Sequence, residues 1–401
     1  MSLKLILKKS FKKNSVQRSH HKFPLKESTF RDNDLIEGIK VILSKNMTMS
    51  DITKKFENLF SRSLKTSYST MVNSGSSANL LAIQCLINPY RKNSLKKGDE
   101  VLIPAVCWPT SFWPIVQSGL KPIFVDVEKE TFNICLKDLK KKISKKTKAI
   151  IPVHFAGSSC DMKKMMKIAN KNNIKIIEDC SQAHGTKFYN KKVGSFGEMS
   201  CFSFYATKHM TTGEGGILCT NNKNIFRYCK SFRNHGMIDR DTHSFLGYNY
   251  RMSELNASIG LVQLKKIDKI NSRRIANSKY ILKGLKKLSK KNSWYQVQEP
   301  IKNIYHTYFW CPVRIVSNKI KLNVVKEKLI KKGIEIRSRY KYPLYKQQVF
   351  QKLKTKGSQN YKKLFLNNAE NLSGKIFGLP NHSKLQKSEL DYIIKTVAKL
   401  F

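Results

Sequence analysis

Between residues 70 and 220 the apolar positions gather in short runs separated by amphipathic stretches: VLI at 101 to 103, IFVDV at 123 to 127, AIIPV at 149 to 153, IKIIE at 174 to 178 and MSCFSF at 199 to 204. Such runs belong to strands buried on both faces, and the amphipathic stretches between them read as covering helices. The pattern predicts an α/β domain built on a mainly parallel sheet. Ligands of such sheets bind beyond the carboxyl ends of the strands. The chain's unusual residues fall at those ends.

After residue 250 the pattern becomes helical. SELNASIGLVQLKKI carries its apolar residues on one face, and KIKLNVVKEKLIKKG closes at Gly333. The last segment predicts a helix capped by Ser388, with Asp391 at its third position and Leu390, Ile393, Ile394 and Val397 on one stripe. These changes divide the chain into an N-terminal extension (1–30), a large domain (31–264) and a smaller C-terminal domain (265–401). No internal repeat or low-complexity linker interrupts them.

With 401 residues, 40% of them hydrophobic, the chain can bury a sizeable core. No stretch approaches the roughly 18 to 20 apolar residues of a membrane helix. The opening MSLKLILKKSFKKN holds only a short run from Leu3 to Leu7, broken by Lys4. The expectation is a cytoplasmic protein with no membrane partner, although a basic, acid-poor start also resembles an organellar transit peptide. The nine cysteines form no CxxC pair and have no nearby histidine at ligand spacing, so they read as reduced core residues, and no metal is expected. A formal net charge of +49 would by itself suggest a nucleic-acid or anionic-membrane partner. The lysines, however, run along the whole chain and flank apolar residues at helical spacing, as in LKDLKKKISKKTK and LKGLKKLSKKN. Solvated helix faces account for them, and no strip of interleaved basic and aromatic residues points to nucleic acid.

Three segments carry chemistry. In MVNSGSSANLLAIQCL a short strand meets Gly75 before an apolar helix that starts near Ser77. Free N–H groups and the helix dipole make such a turn a phosphate site, to which Ser76 and Ser77 add hydroxyls; a serine cap on a core helix is the plainer alternative. In IKIIEDCSQAHG, Asp179 ends a strand and is followed by Gln182 and His184. A carboxylate there can pair with a protonated ring nitrogen, an attraction of roughly 4 kcal/mol at about 4 Å and an effective dielectric near 20, and it can equally be a helix cap. In CFSFYATKHMTTGEGGILCTNN, Ser203 lies five positions before Lys208, which sits in a tight polar loop between two buried strands. Desolvation and nearby cations would fit that amine for Schiff-base formation with an aldehyde.

In this order the phosphate turn, Trp108 in PAVCWPTSFWP, strand-end Asp179 and Lys208 resemble the fold-type I pyridoxal-phosphate enzymes. More narrowly, the chain resembles the DegT/DnrJ/EryC1/StrS family of nucleotide-sugar aminotransferases. The likeness extends from FPLKESTFRDNDL through GDEVLIPAVCWPTSFWPIVQSGLKPIFVDVE and GYNYRMSELNASIGLVQL to AENLSGKIFGLP. The resemblance implies a large domain with a mainly parallel seven-stranded sheet and a smaller C-terminal α/β domain. It implies pyridoxal 5'-phosphate on Lys208, with pyridoxamine 5'-phosphate between the two half-reactions and Lys208 shuttling the proton. Asp179 would pair with the ring nitrogen, Gln182 lie near the ring hydroxyl, and Trp108 stack on the ring. Ser203, Ser76 and the backbone at Ser77 would hold the phosphate, joined by Asn249 of a neighbouring subunit in an obligate homodimer. His184 and Arg251 would contact substrate or support those that do. The implied reaction moves an amino group from an amino acid, usually glutamate, to a nucleotide-linked keto-deoxy sugar, as in surface polysaccharide and lipopolysaccharide synthesis.

A branch of this family removes the C-3 hydroxyl of the sugar and carries histidine in place of the lysine. This chain shares NSGSSANLL and SFY with that branch and has His209 beside Lys208. The five-residue spacing from Ser203 favours Lys208 and therefore amino transfer. The rival readings are a 3-dehydratase and a basic binding protein that keeps the scaffold without the chemistry.

Overall fold

The computed structural model describes residues 21–25, 29–289, 293–298, 302–337, 339–352 and 359–401. The apolar run at Leu3 to Leu7 and most of the expected N-terminal extension lie outside them.

Helices α1 (Asp32–Ser44) and α2 (Asp51–Leu64) precede the first strand, β1 (Tyr68–Val72). Helix α3 (Gly75–Ile87) follows at once, and then come β2 (Glu100–Pro104) and β3 (Lys121–Val125). Helix α4 (Leu136–Lys142), β4 (Thr147–Ile150), α5 (Met162–Lys171) and β5 (Lys175–Asp179) continue the alternation. Two wholly buried strands, β6 (Met199–Ser203) and β7 (Gly216–Thr220), enclose the loop that carries Lys208. The seven strands form one sheet in the order β1-β7-β6-β5-β4-β2-β3. Only β7 runs against its neighbours; β6, β5, β4, β2 and β3 are parallel. The expected parallel sheet is therefore present, with its apolar runs buried on both faces.

Helix α6 (Lys223–Arg233) leads to α7 (Glu254–Leu288), 35 residues and about 52 Å long. The start of α7 is fixed to α2 by the buried Glu254 carboxylate. It accepts hydrogen bonds from the N–H groups of Ser50, Ile52 and Thr53 at 2.7 to 2.9 Å and from Thr53 Oγ1 at 2.6 Å. Those N–H groups are the ones a helix cannot satisfy from within, so a remote acid here replaces a local cap. The boundary expected after residue 264 falls inside this unbroken helix. Its second half packs on a second sheet made of β8 (Tyr295–Val297), β9 (Cys311–Ile315) and β10 (Ile376–Leu379), all antiparallel.

A second core collects Ile281, Leu285, Val313, Val325, Leu329, Phe377, Ile393 and Val397 beside this sheet. Helix α8 (Leu322–Lys331) ends just before Gly333, whose φ of +77° favours glycine. The last helix, α9 (Lys387–Ala398), starts earlier than the Ser388 cap expected from the sequence. Its cap is Gln386, whose N–H donates to Glu389 Oε2 at 2.7 Å, an arrangement that satisfies the first turn without the serine. Leu390, Ile393, Ile394 and Val397 are buried on one stripe as expected. No described helix is long and apolar enough to cross a membrane. All nine cysteines are free, and every one but the half-buried Cys135 is buried.

Candidate active site

A cavity of about 250 Å³ opens where the carboxyl ends of the large sheet face the segment that follows α8 and pairs with β10. Six residues singled out in the sequence line it: Ser76, Trp108, Asp179, Gln182, Ser203 and Lys208. The floor is set by local rules. Ser74 caps α3 by accepting the Ser77 N–H at 3.1 Å, and the first intrahelical bond runs from Ala78 N–H to the Ser74 carbonyl. Gly75 and Ser76 therefore stand ahead of the helix's own ladder and offer N–H groups for an anion. The helix begins at Gly75, two residues before the start expected at Ser77. A Cβ added at Gly75 would lie 2.5 Å from Ser203 Cβ, so only glycine lets the helix start approach the end of β6. Ser77 belongs to the cap: its Oγ donates to Asn73 Oδ1 at 2.6 Å, and its side chain is not part of the cavity wall.

Asp179 is buried at the end of β5. Its Oδ2 accepts from Ser111 Oγ at 2.6 Å and Asn79 Nδ2 at 3.2 Å, and its Oδ1 accepts the Ser181 N–H at 2.9 Å. Three donors fix the carboxylate's orientation. Gln182 is held by the Ala156 N–H at 3.0 Å and donates to the Tyr340 hydroxyl at 3.1 Å. Trp108 is 45% exposed, and the Arg339 guanidinium lies 5.0 Å from its centre.

Lys208 projects its amine into the cavity, 4.7 Å from the centre of the Phe309 ring. Burial lowers its pKa to about 8, against the pull of Asp179 and helped by Arg337 and Arg339. His209 points elsewhere. It is wholly buried, its Nε2 lies 3.3 Å from the Thr307 carbonyl, and burial, with Arg274 next in effect, pushes its pKa well down. The loop thus presents lysine, not histidine, to the cavity.

Besides Ser77, three sequence-selected residues lie apart from this wall. His184 is buried against Phe202, Phe204 and His209, and burial followed by the charge of Lys208 lowers its pKa to about 3, so it remains neutral. Arg251 donates to Asn234 Oδ1 at 2.6 Å and approaches His235 Nε2 at 2.7 Å. Asn249 is exposed on the same loop system. Residues missed in the sequence include Asn79 and Ser111, which hold Asp179, and Arg337, which with Arg339 and Tyr340 closes the cavity from the C-terminal side. The Tyr340 backbone has a φ of +61°, and burial raises its hydroxyl to about 12.

His154, Glu178 and Cys180 also lie close together, but as a structural network. Glu178 already accepts from the Gly194, Phe196 and Gly197 N–H groups at 2.7 Å and faces His154 Nε2 at 3.1 Å, while His154 Nδ1 accepts from the Cys160 N–H. Those lone pairs are in use.

The antiparallel β7 in an otherwise parallel sheet, with a lysine loop between β6 and β7 facing a strand-end aspartate, defines the class as a fold-type I pyridoxal-phosphate transferase. The site fits that cofactor on its own terms: an amine of lowered pKa, a buried carboxylate, free N–H groups at a helix start and a half-exposed tryptophan line one cavity. The chain belongs to the DegT/DnrJ/EryC1/StrS aminotransferase family, whose model matches residues 30–398. It is 34% identical over 350 residues to GDP-perosamine synthase of Escherichia coli O157:H7, covering 87% of this chain and 90% of that protein. Among solved structures it is similar to Helicobacter pylori PseC, an aminotransferase involved in the biosynthesis of pseudoaminic acid, at TM-score 0.85 and 27% identity over 94% of this chain and 99% of that one. It is also similar to E. coli GDP-4-keto-6-deoxy-D-mannose-3-dehydratase with bound hydrated pyridoxal phosphate, at TM-score 0.85 and 31% identity over 95% and 100%.

Proposed function

We propose that this protein is a nucleotide-sugar aminotransferase that takes an amino group from glutamate and places it on the keto carbon of a GDP-linked 4-keto-6-deoxy sugar. The observation that carries the reading is the placement of Lys208 in the cavity with His209 turned away. Bound pyridoxal phosphate would supply an aldehyde for the amine and an electron-withdrawing ring. Everything else falls to this chain. Gly75, Ser76 and Ser203 would hold the phosphate, Asp179 would pair with the ring nitrogen, Gln182 and Tyr340 would border the ring hydroxyl, and Trp108 would stack on the ring. Lys208 Nζ, with a pKa of about 8, is neutral in a large enough fraction near neutral pH to accept a proton from the donor's α-carbon and return it.

Dehydration would need His209 in the place of Lys208, and the loop turns it toward Thr307 instead. Loss of the cofactor chemistry, as in a binding protein on this scaffold, is opposed by the gathering of Ser76, Trp108, Asp179, Gln182, Ser203 and Lys208 around one cavity. The choice of GDP follows the relatives named above. The exposure of Asn249 outside its own cavity supports a homodimer in which it completes the neighbouring site, and Arg251 braces the same loop. A cytoplasmic location and the division near residues 30 and 264 are part of the same proposal. Incubation with glutamate and a panel of nucleotide-linked keto sugars, read by mass, tests it. An amino sugar with equimolar 2-oxoglutarate is expected; a 3-deoxy keto sugar would overturn the reading in favour of dehydration.

A further inference from the structure

The Asp179 carboxylate is held from several sides at once. Its backbone is fixed first: the N–H donates to the Pro152 carbonyl at 2.9 Å, and the carbonyl accepts the His154 N–H at 3.1 Å. Three donors then divide unequally between the two side-chain oxygens. Ser111 Oγ at 2.6 Å and Asn79 Nδ2 at 3.2 Å both reach Oδ2, whereas the Ser181 N–H reaches Oδ1 at 2.9 Å. A carboxylate offers about four lone-pair sites, shared equally by its oxygens. Those of Oδ2 are filled, and one on Oδ1 stays open, with no donor to it among the described residues.

The two side chains on Oδ2 come from different elements. Ser111 ends the short turn Pro109–Ser111 between β2 and β3, where it is buried and lines the cavity. Asn79 lies on α3, about one turn beyond Gly75, buried and behind the cavity wall. Its second N–H approaches the Thr110 carbonyl at 3.5 Å, and its Oδ1 is buried without a partner. Turning the amide over would set that oxygen against Asp179 Oδ2, so the nitrogen faces the acid. A buried amide oxygen with no partner costs free energy, a cost that a leucine of similar size would avoid. Packing of α3 therefore does not account for Asn79, and its bond to Asp179 does. The segment NSGSSANLL thus carries two devices: N–H groups at its tip and, one turn on, a side chain that fixes the acid.

Resting on the pyridoxal-phosphate reading of this cavity, we propose that Asn79 and Ser111 are positioning residues for the cofactor's ring nitrogen. By filling Oδ2 they leave the open lone pair of Asp179 Oδ1 as the acceptor, and so make the site selective for a ring that carries an N–H. Asn79 acts only through Asp179, since it is no part of the wall. A hydrogen bond to an ionised acceptor is among the stronger ones, and an acceptor held in place before binding gives up no rotational freedom when the ring arrives.

Equilibrium dialysis of the cofactor-free protein against pyridoxal 5'-phosphate and against its 1-deaza analogue, in which C–H replaces the ring nitrogen, tests this. Both ligands carry the aldehyde and the phosphate, so the ring nitrogen alone separates them. The wild type should bind pyridoxal phosphate about tenfold or more tightly than the analogue. Asn79→Leu and Ser111→Ala should each cut that preference by about threefold or more, with affinity for the analogue held within about twofold. Equal binding of the two ligands by the wild type overturns the proposal and requires no variant to fold. A variant that keeps the full preference, or that weakens both ligands alike, overturns it as well, because a damaged pocket does not discriminate between them. Binding of neither ligand would sink the cofactor reading and the proposal with it. No substrate enters these measurements, so amino transfer is tested apart from them, by whether glutamate bleaches the visible absorbance of the Lys208-bound cofactor.

Discussion

At the scale of single residues, the site is organised around one amine whose protonation sets the working pH. Capture of the cofactor's aldehyde needs neutral Lys208 Nζ. With a pKa lowered to about 8, the rate at which the cofactor-free protein takes up pyridoxal phosphate should rise with pH through about 8 and level off above it. Arg337→Gln removes a cation that disfavours the charged amine, so the midpoint should move upward. Stopped-flow absorbance checks both; a midpoint unmoved by the variant would refute the electrostatic account. Lys208→Ala should abolish the visible band, and Asp179→Asn, which keeps the size of the side chain, should slow amine transfer on the order of 100-fold. Asp179, Ser203 and Ser76 were legible because each sits at a strand end or helix start that the apolar pattern locates, and Gln182 and Lys208 because they lie in the loops that follow those strand ends. Arg337 was not, because its approach to the cavity depends on its pairing with Gly378. The alternation of Ile334 and Ile336 with arginines at 337 and 339 is the signal that would have found it. The five-residue spacing from Ser203 favours Lys208 over His209 as the residue that faces inward. A turn sets that, with Lys208 N–H bonded to the Tyr205 carbonyl and Thr212 N–H to that of Phe204.

At the scale of elements, the approach of α3 to β6 matters most. Gly75→Ala should destabilise the protein by about 1 to 3 kcal/mol and weaken pyridoxal phosphate binding disproportionately, because the added methyl separates the N–H groups at the helix start from Ser203. Denaturant melts with and without cofactor measure the two effects. A variant with unchanged cofactor affinity would show that the helix start is not part of the phosphate site. The strands of the large sheet were legible from composition alone, since both faces are buried. The second sheet was less so. Its strands are short and antiparallel, and the helix that supports it, α7, begins in one core and ends in the other, so no break in periodicity marks the change.

At the scale of the whole molecule, an excess of 49 positive charges surrounds a cavity whose proposed substrate carries a diphosphate. Cations at this density raise the encounter rate with an anion and are screened over about 8 Å at physiological salt. The value of kcat/KM for the nucleotide sugar should therefore fall as ionic strength rises, while kcat holds. A kcat/KM indifferent to salt would show that the charge has no part in substrate capture.

The buried cysteines give the protein a built-in record of how it opens. Burial pushes the thiols of Cys85, Cys180, Cys201 and Cys219 upward within the layers of the large sheet, and that of Cys311 upward within the small one. In the native state an alkylating reagent should therefore find Cys135 first. Each further adduct marks an excursion that exposes a particular layer, and the order of labelling, followed by mass, would show whether the two cores unfold together or the small one first. Pyridoxal phosphate should slow the adducts at Cys180 and Cys201, which flank Asp179, more than the adduct at Cys311 if the two cores open separately.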